Sequence, residues 1–250
     1  MKLTDKVAIV TGAAQGLGRA IVERFVEAQV QGVVAADVNE DVLETATKQI
    51  RSGKDGQILP VTTDVSDPAQ IQRMVEAALK KFSRIDILVN NASVCPVIDW
   101  EDVTVENWNQ ILAVNLTGML LCTKAVVPHM QSQGDGRIVY VSSPAARVGS
   151  IIAHVGYGAT KAGALALMKS VAKRFAQDGI RANAILPGPI DTPLSRSFGE
   201  KYWESQQERP LLKRHAAASE VADSVLFLVS DRSSYITGHE LWVDGGWSLG

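Results

Sequence analysis

The sequence predicts an α/β domain built on one doubly wound, parallel, seven-stranded sheet with helices on both faces. Two features of the 250 residues carry that prediction. Short β-branched runs that are apolar throughout recur along the chain, as strands covered on both faces must be. Longer segments with helical periodicity lie between them, and that alternation gives a parallel sheet with right-handed crossovers. No linker, repeat or low-complexity stretch interrupts the rhythm, so residues 1–250 read as a single domain.

"KVAIVTG" (6–12) is the first strand. "GLGRAIVERFVEAQ" (16–29) follows as a helix with Ile21, Val22, Phe25 and Val26 on one face. "GVVAAD" (32–37) and "QILPVTTD" (57–64) are the second and third strands. Ile71, Met74, Val75, Ala78, Leu79 and Phe82 share a helix face ahead of the fourth strand, "IDILVNNA" (85–92). Helical segments near 104–130, 157–178 and 219–230 then lead into "RIVYVSS" (137–143), "IRANAILPG" (180–188) and "HELWVDG" (239–245). Residues 188–216 break the pattern. They are rich in Pro, Ser, charge and aromatics and too long for a plain connection, so a lid over a site is expected there.

Composition narrows the function. Hydrophobic residues at 46% and charged residues at 21% describe a globular protein. A net charge of −2 argues against nucleic-acid or acidic-membrane partners, which select basic surfaces. The first residues lack the apolar core of a signal peptide, and no apolar run of about 18 residues is evident. Cys95 and Cys122 read as free thiols in a reducing cytosol, so a cytoplasmic protein is expected.

Between the first strand and first helix stands "TGAAQGLG", with Gly12, Gly16 and Gly18 spaced G-x3-G-x-G and Gln15 and Leu17 among them. A pyrophosphate at a helix N-terminus needs backbone N–H groups at close range, which a Cβ would block. The spacing differs from the common G-x-G-x-x-G, but a strand precedes and a helix follows, as in the first βα unit of a Rossmann-type fold. Asp37 ends the second strand nineteen residues after Gly18, where a carboxylate accepts from the adenosine ribose hydroxyls. It would repel the 2′-phosphate of NADP. Gln15 and Val38 are neutral, and Arg19 is the one cation close in sequence, so NAD is the expected cofactor.

Tyr157 and Lys161 are four residues apart and share a helix face. A nearby ammonium favours the phenolate and draws the tyrosine from its ordinary pKa near 10 toward working pH. Ser142 and Ser143 end a strand on the side where a parallel sheet places its ligands.

With "DVSD" (64–67), "NNAS" (90–93), Asn115 within "LAVNLTG", "PGPIDTP" (187–193) and "ITGHELWVDGG" (236–246), these motifs resemble the short-chain dehydrogenase/reductase family of the classical type, in order and over essentially the whole chain. The resemblance implies that Tyr157 is the general acid/base and that Lys161 binds the nicotinamide ribose and lowers the tyrosine pKa. It implies a water held by Asn115 behind the lysine, Asp64 and Val65 at the adenine, Asn91 at the adjacent ribose, and Ile190 and Thr192 at the carboxamide. Two departures stand out. Ser93 replaces the family's usual glycine. The family most often places its serine thirteen residues before the tyrosine, which here is Pro144, so Ser143 is the closer fit and Ser142 faces the other side of the strand.

An NAD-dependent oxidoreductase acting on a secondary alcohol or ketone follows, with a small polyol, sugar or hydroxy compound as substrate. The alternative is a 3-oxoacyl-(acyl carrier protein) reductase, although those enzymes usually use NADPH and a basic docking surface. A non-catalytic dinucleotide-binding regulator is third, and the full Asn115, Ser143, Tyr157 and Lys161 set argues against it. Substrate contacts are expected from 93–100, 144–156 and 188–216, with Val94, Trp100, Ile151, His154 and Trp203 among the residues present. Of these, His154 reads rather as a solvated loop residue. Trp247 is expected at a pocket or a subunit contact. The family resemblance implies a homotetramer, and no metal site is expected.

Overall fold

The computed structural model describes residues 1–51, 57–150 and 153–249. Seven strands form one sheet: β1 (Val7–Thr11), β2 (Gly32–Asp37), β3 (Gln57–Thr62), β4 (Ile87–Asn90), β5 (Gly136–Val141), β6 (Ile180–Pro187) and β7 (Glu240–Val243). All pair in parallel, in the order β3-β2-β1-β4-β5-β6-β7. Each strand lies within the run that predicts it, except that β5 starts one residue earlier. Every residue of β1, β4 and β5 is buried, which is why these runs are apolar rather than alternating.

On one face lie α1 (Gly16–Glu27), α2 (Glu40–Arg51) and α10 (Ala218–Val229); on the other lie α3 (Pro68–Phe82), α5 (Gly118–Gln133) and α7 (Val155–Phe175). Four further helices stand at the rims: α4 (Val105–Leu112), α6 (Ala145–Val148), α8 (Pro193–Arg196) and α9 (Glu200–Gln207). The helix α2 is absent from the sequence reading. Its buried residues Leu43, Ala46 and Ile50 recur at steps of three and four, a short stripe in an otherwise polar segment.

The single helix expected over 104–130 is divided. A π-helical turn (Ala113–Thr117) separates α4 from α5 and turns Asn115 fully inward. Val105–Gln133 is also long and apolar enough, by length and composition, to cross a membrane, contrary to the expectation of no such stretch. Its apolar side is spent on the core: Ile111, Met119, Cys122, Val126, Val127 and Met130 are all buried.

Residues 189–216 leave the sheet edge and return to it at one point. The Asp191 N–H donates to the Ala216 carbonyl at 3.0 Å, and the Ala216 N–H to the Pro189 carbonyl at 2.9 Å. The chain between these bonds, carrying α8 and α9, is a flap hung on a narrow neck.

At the opposite edge of the sheet, Asp86 is wholly buried. It accepts from the Val7 N–H at 2.8 Å and from the Arg84 guanidinium at 2.8 and 2.6 Å. Removing a buried carboxylate strands its partners. Asp86→Ala should cost about 3 kcal/mol in urea denaturation, and a loss below about 1 kcal/mol would contradict this account of how β1 is anchored.

Candidate active site

The carboxyl ends of β1, β2, β4, β5 and β6 open into one cleft of about 930 Å³. It lies where the chain path reverses, with β2 and β4 flanking β1, the position at which open parallel sheets take ligands.

The glycine loop has no room for side chains. Gly12 sits at φ 66°, and a Cβ on Gly18 would lie 1.9 Å from the Gly12 carbonyl oxygen. The helix α1 begins without a side-chain cap and without an acidic residue in its first turn, so its leading amides are left for an anion. Two residues bolt this loop to β4. The Asn91 side-chain amide donates to the Thr11 and Gly12 carbonyls at 2.9 and 3.0 Å. The Thr11 hydroxyl accepts from the Asn91 and Ala92 N–H groups at 3.0 and 3.1 Å. The Asn91 amide protons are therefore committed to the loop, a structural use beyond the ribose contact expected for it.

Asp37 accepts from the Ala14 and Asn39 N–H groups, both at 3.0 Å, and lines the cleft at the end of β2. Arg19 is ion-paired with Glu23 at 2.9 Å and is not among the residues lining the cleft. Asp64, tied to the Ser66 N–H and hydroxyl at 2.8 and 2.7 Å, lines the same end beside the buried Val65. Gln15, Gly16 and Leu17 form one wall, and Ile190 and Thr192 stand across from them. A backbone cradle that a Cβ would fill, uncapped helix amides and a carboxylate at the far end fit a dinucleotide laid along the sheet edge.

The structure separates the two serines. The Ser142 hydroxyl is buried and donates to the Lys161 carbonyl at 2.9 Å, tying β5 to α7. The Ser143 hydroxyl points the other way, accepts from the Ala145 N–H at 3.2 Å and hydrogen-bonds the Tyr157 side chain. Tyr157 is partly exposed to the cleft, while Lys161 is buried and donates to the Val141 carbonyl at 3.0 Å. The ammonium stands 5.5 Å from the Tyr157 ring centre.

Burial pushes the Tyr157 phenol up, and Cys95 adds to this while Ser143 works against it. The depression expected from Lys161 is thus not present in the protein alone: with the phenol raised and the lysine lowered, the lysine loses its proton before the phenol ionises. Burial also pulls Lys161 itself down, to about 8.

Asn115 lies behind the cleft wall rather than on it. Its side chain accepts from the Val94 N–H and donates to the Val94 carbonyl, both at 2.8 Å. These two bonds fix the wall formed by residues 93–95. Ser93 keeps a negative φ, so its Cβ is tolerated, and its buried hydroxyl has no partner among the described residues.

His154 is neither solvated nor in the cleft. It is fully buried, its Nδ1 accepts from the Gly156 N–H at 2.8 Å, and its Nε2 stands 2.9 Å from Asn107 Oδ1. It caps α7 and thereby sets the first turn, where Tyr157 sits. Trp100 is 74% exposed and does not line the cleft, whereas Val94, Trp203 and Trp247 do. Ile151 lies outside the described residues. Cys95, Tyr202, Arg209 and His215 also line the cleft; all four lie in the segments expected to meet substrate, though only folding of the flap singles out the last three.

Comparison with known proteins follows the same lines. A family model described as Enoyl-(Acyl carrier protein) reductase matches residues 12–248. The chain is 38% identical over 246 residues to the 3-oxoacyl-(acyl-carrier-protein) reductase FabG of Thermotoga maritima, covering 98% of this chain and 99% of that protein. It is 34% identical over 249 residues to the 2,5-dichloro-2,5-cyclohexadiene-1,4-diol dehydrogenase LinX of Sphingobium indicum, covering 100% and 98%. The crystal structure of Levodione Reductase superposes with a TM-score of 0.93 at 31% identity, covering all of both chains.

Two predictions follow from this geometry. Gly18→Ala should weaken NADH binding, read by its fluorescence, by more than about tenfold, because the added Cβ displaces the Gly12 carbonyl. Lys161 is destabilising while it must carry its proton in a buried site. With a folded value of about 8 against 10.5 outside, the unfolded chain holds the extra proton between those limits, so this group makes stability rise with pH across that window. Lys161→Met should therefore stabilise the protein by about 2 kcal/mol at pH 7, after the lost Val141 hydrogen bond, and by about pH 10.5 the gain should have reversed to a small loss. An equal difference at both pH values would refute the burial argument.

Proposed function

The chain belongs to the short-chain dehydrogenase/reductase family, and on that premise we propose that it is an NAD-dependent oxidoreductase interconverting a small secondary alcohol and its ketone. Members of this family use nicotinamide dinucleotides, which supply the hydride acceptor or donor when bound. The observation that carries the proposal is the convergence of Ser143, Tyr157 and Lys161 at the cleft end of β5 and α7.

In alcohol oxidation the Tyr157 hydroxyl, as phenolate, takes the proton from the substrate oxygen; in reduction it returns one. Ser143, already hydrogen-bonded to Tyr157, holds the same substrate oxygen. Because burial raises the phenol, Lys161 alone does not ionise it. Tyr157 would therefore need a further positive charge beside it to act as a base, which a bound oxidised nicotinamide would supply. Asn115 acts as a positioning residue by fixing Val94. The flap carrying Tyr202 and Trp203 closes the substrate side, as a lid.

NAD is favoured over NADP by Asp37 together with the outward pairing of Arg19, which leaves no cation lining that end of the cleft among the described residues to receive a 2′-phosphate. The 38% identity to FabG supports a second reading, reduction of a 3-oxoacyl thioester, but that reading meets the same carboxylate at the ribose.

NADH and NADPH binding, followed by NAD reduction across a panel of polyols, sugars and hydroxy acids, tests the proposal. NADH should bind more tightly than NADPH. Tyr157→Phe and Ser143→Ala should each lower turnover by about 10² or more, while Ser142→Ala keeps the chemistry and loses stability. Tighter NADPH binding would reverse the cofactor assignment, and turnover surviving in Tyr157→Phe would remove the proposed base.

A further inference from the structure

The charges lining the cleft are divided. Its two carboxylates, Asp37 and Asp64, stand at the ends of β2 and β3, where the adenosine would lie. On the substrate side the flap presents Arg209 and no acid.

The flap has three arginines, and their pairings differ. Arg196 grips Asp191 through two bonds of 2.7 and 2.8 Å. Arg214 grips Glu220 in the same way at 2.7 and 2.8 Å. Arg209 has no acidic partner among the described residues and lies over the Trp247 ring at 4.6 Å. A guanidinium stacked on an indole keeps its planar fork of N–H donors free at the edge. Elsewhere in the flap the Trp203 and His215 rings stack at 4.2 Å, with the Arg196 Cζ 4.5 Å from the Trp203 ring centre, and the Trp203 Nε1 and His215 Nε2 atoms are buried without partners among the described residues. Tyr202 lines the same cleft as Arg209 and Tyr157.

We propose that the substrate is a hydroxy acid, or an oxo acid in the reverse direction, with its carboxylate received by Arg209 and its carbinol carbon at Tyr157. This rests on the secondary-alcohol reading above.

Calorimetric binding to the NAD-saturated protein tests this without turnover, since an oxo acid and NAD cannot react. The probes are 2-oxobutyrate, acetoacetate, 4-oxopentanoate and 5-oxohexanoate, each against its methyl ester. At least one of the acids should bind about tenfold more tightly than its ester, the size of one partly exposed charge-assisted hydrogen bond. The advantage should fall to within about twofold in Arg209→Gln and shrink at high salt. Esters binding as tightly as acids, an acid advantage that survives in Arg209→Gln, or no binding by any probe would each overturn the proposal. Turnover separates the two readings: an acid that binds through Arg209 but is never reduced with NADH would sink the dehydrogenase assignment and leave the anion site standing.

Discussion

The cleft depends on one strand pair, β1 with β4. Its register sets Ala8 beside Ile87, Ile9 beside Leu88 and Val10 beside Val89. Side chains stitch it at both ends. Asp86 holds the Val7 N–H below, while Thr11 and Asn91 exchange hydrogen bonds with the opposing backbone above. A slip of one residue would turn every buried side chain to the wrong face and carry Asn91 away from the glycine loop. The loop's glycines bring no side chains to hold it, so this junction, with the Ala13 and Ala14 N–H bonds to Ala36 and Asp37 of β2, sets its shape.

The second constraint is the buried cation. Lys161 is out of water, held by the Val141 carbonyl, on a helix whose start is fixed by His154 and whose Lys161 carbonyl is held by Ser142. Two hydrogen bonds from the end of β5 and one from the helix's own cap thus hold the start of α7. A buried charge is tolerated only where hydrogen bonds or a partner compensate for lost water. The same rigidity keeps the Tyr157 hydroxyl beside Ser143.

What was legible in the sequence is what depends on neighbours along the chain. Strands covered on both faces announce themselves as apolar runs, and the glycine spacing sits in one contiguous loop. The choice of Ser143 over Ser142 was reachable too, because alternation at a strand end is a local rule. The misreading of His154 concerns a group whose partner is far away. His154 meets Asn107, 47 residues off, and the Asn115 side chain likewise meets Val94, 21 residues off. Neither pairing leaves a periodic trace, and the polar residue looks the same whether capped, buried or solvated. The helix α2 was missed for the opposite reason, since its apolar stripe is too sparse to rise above a polar segment.

The narrow neck of the flap separates two kinds of selection. Between Asp191 and Ala216 the chain departs and returns across a pair of backbone hydrogen bonds, and such bonds tolerate almost any side chain. The entropy of closing a loop grows only with the logarithm of its length. The flap is therefore free to lengthen, shorten or change composition at little expense to the sheet. Ligand preference can drift in this segment while the cofactor cleft and proton-transfer groups stay under their own constraints, so divergence of substrate range need not pass through unstable intermediates.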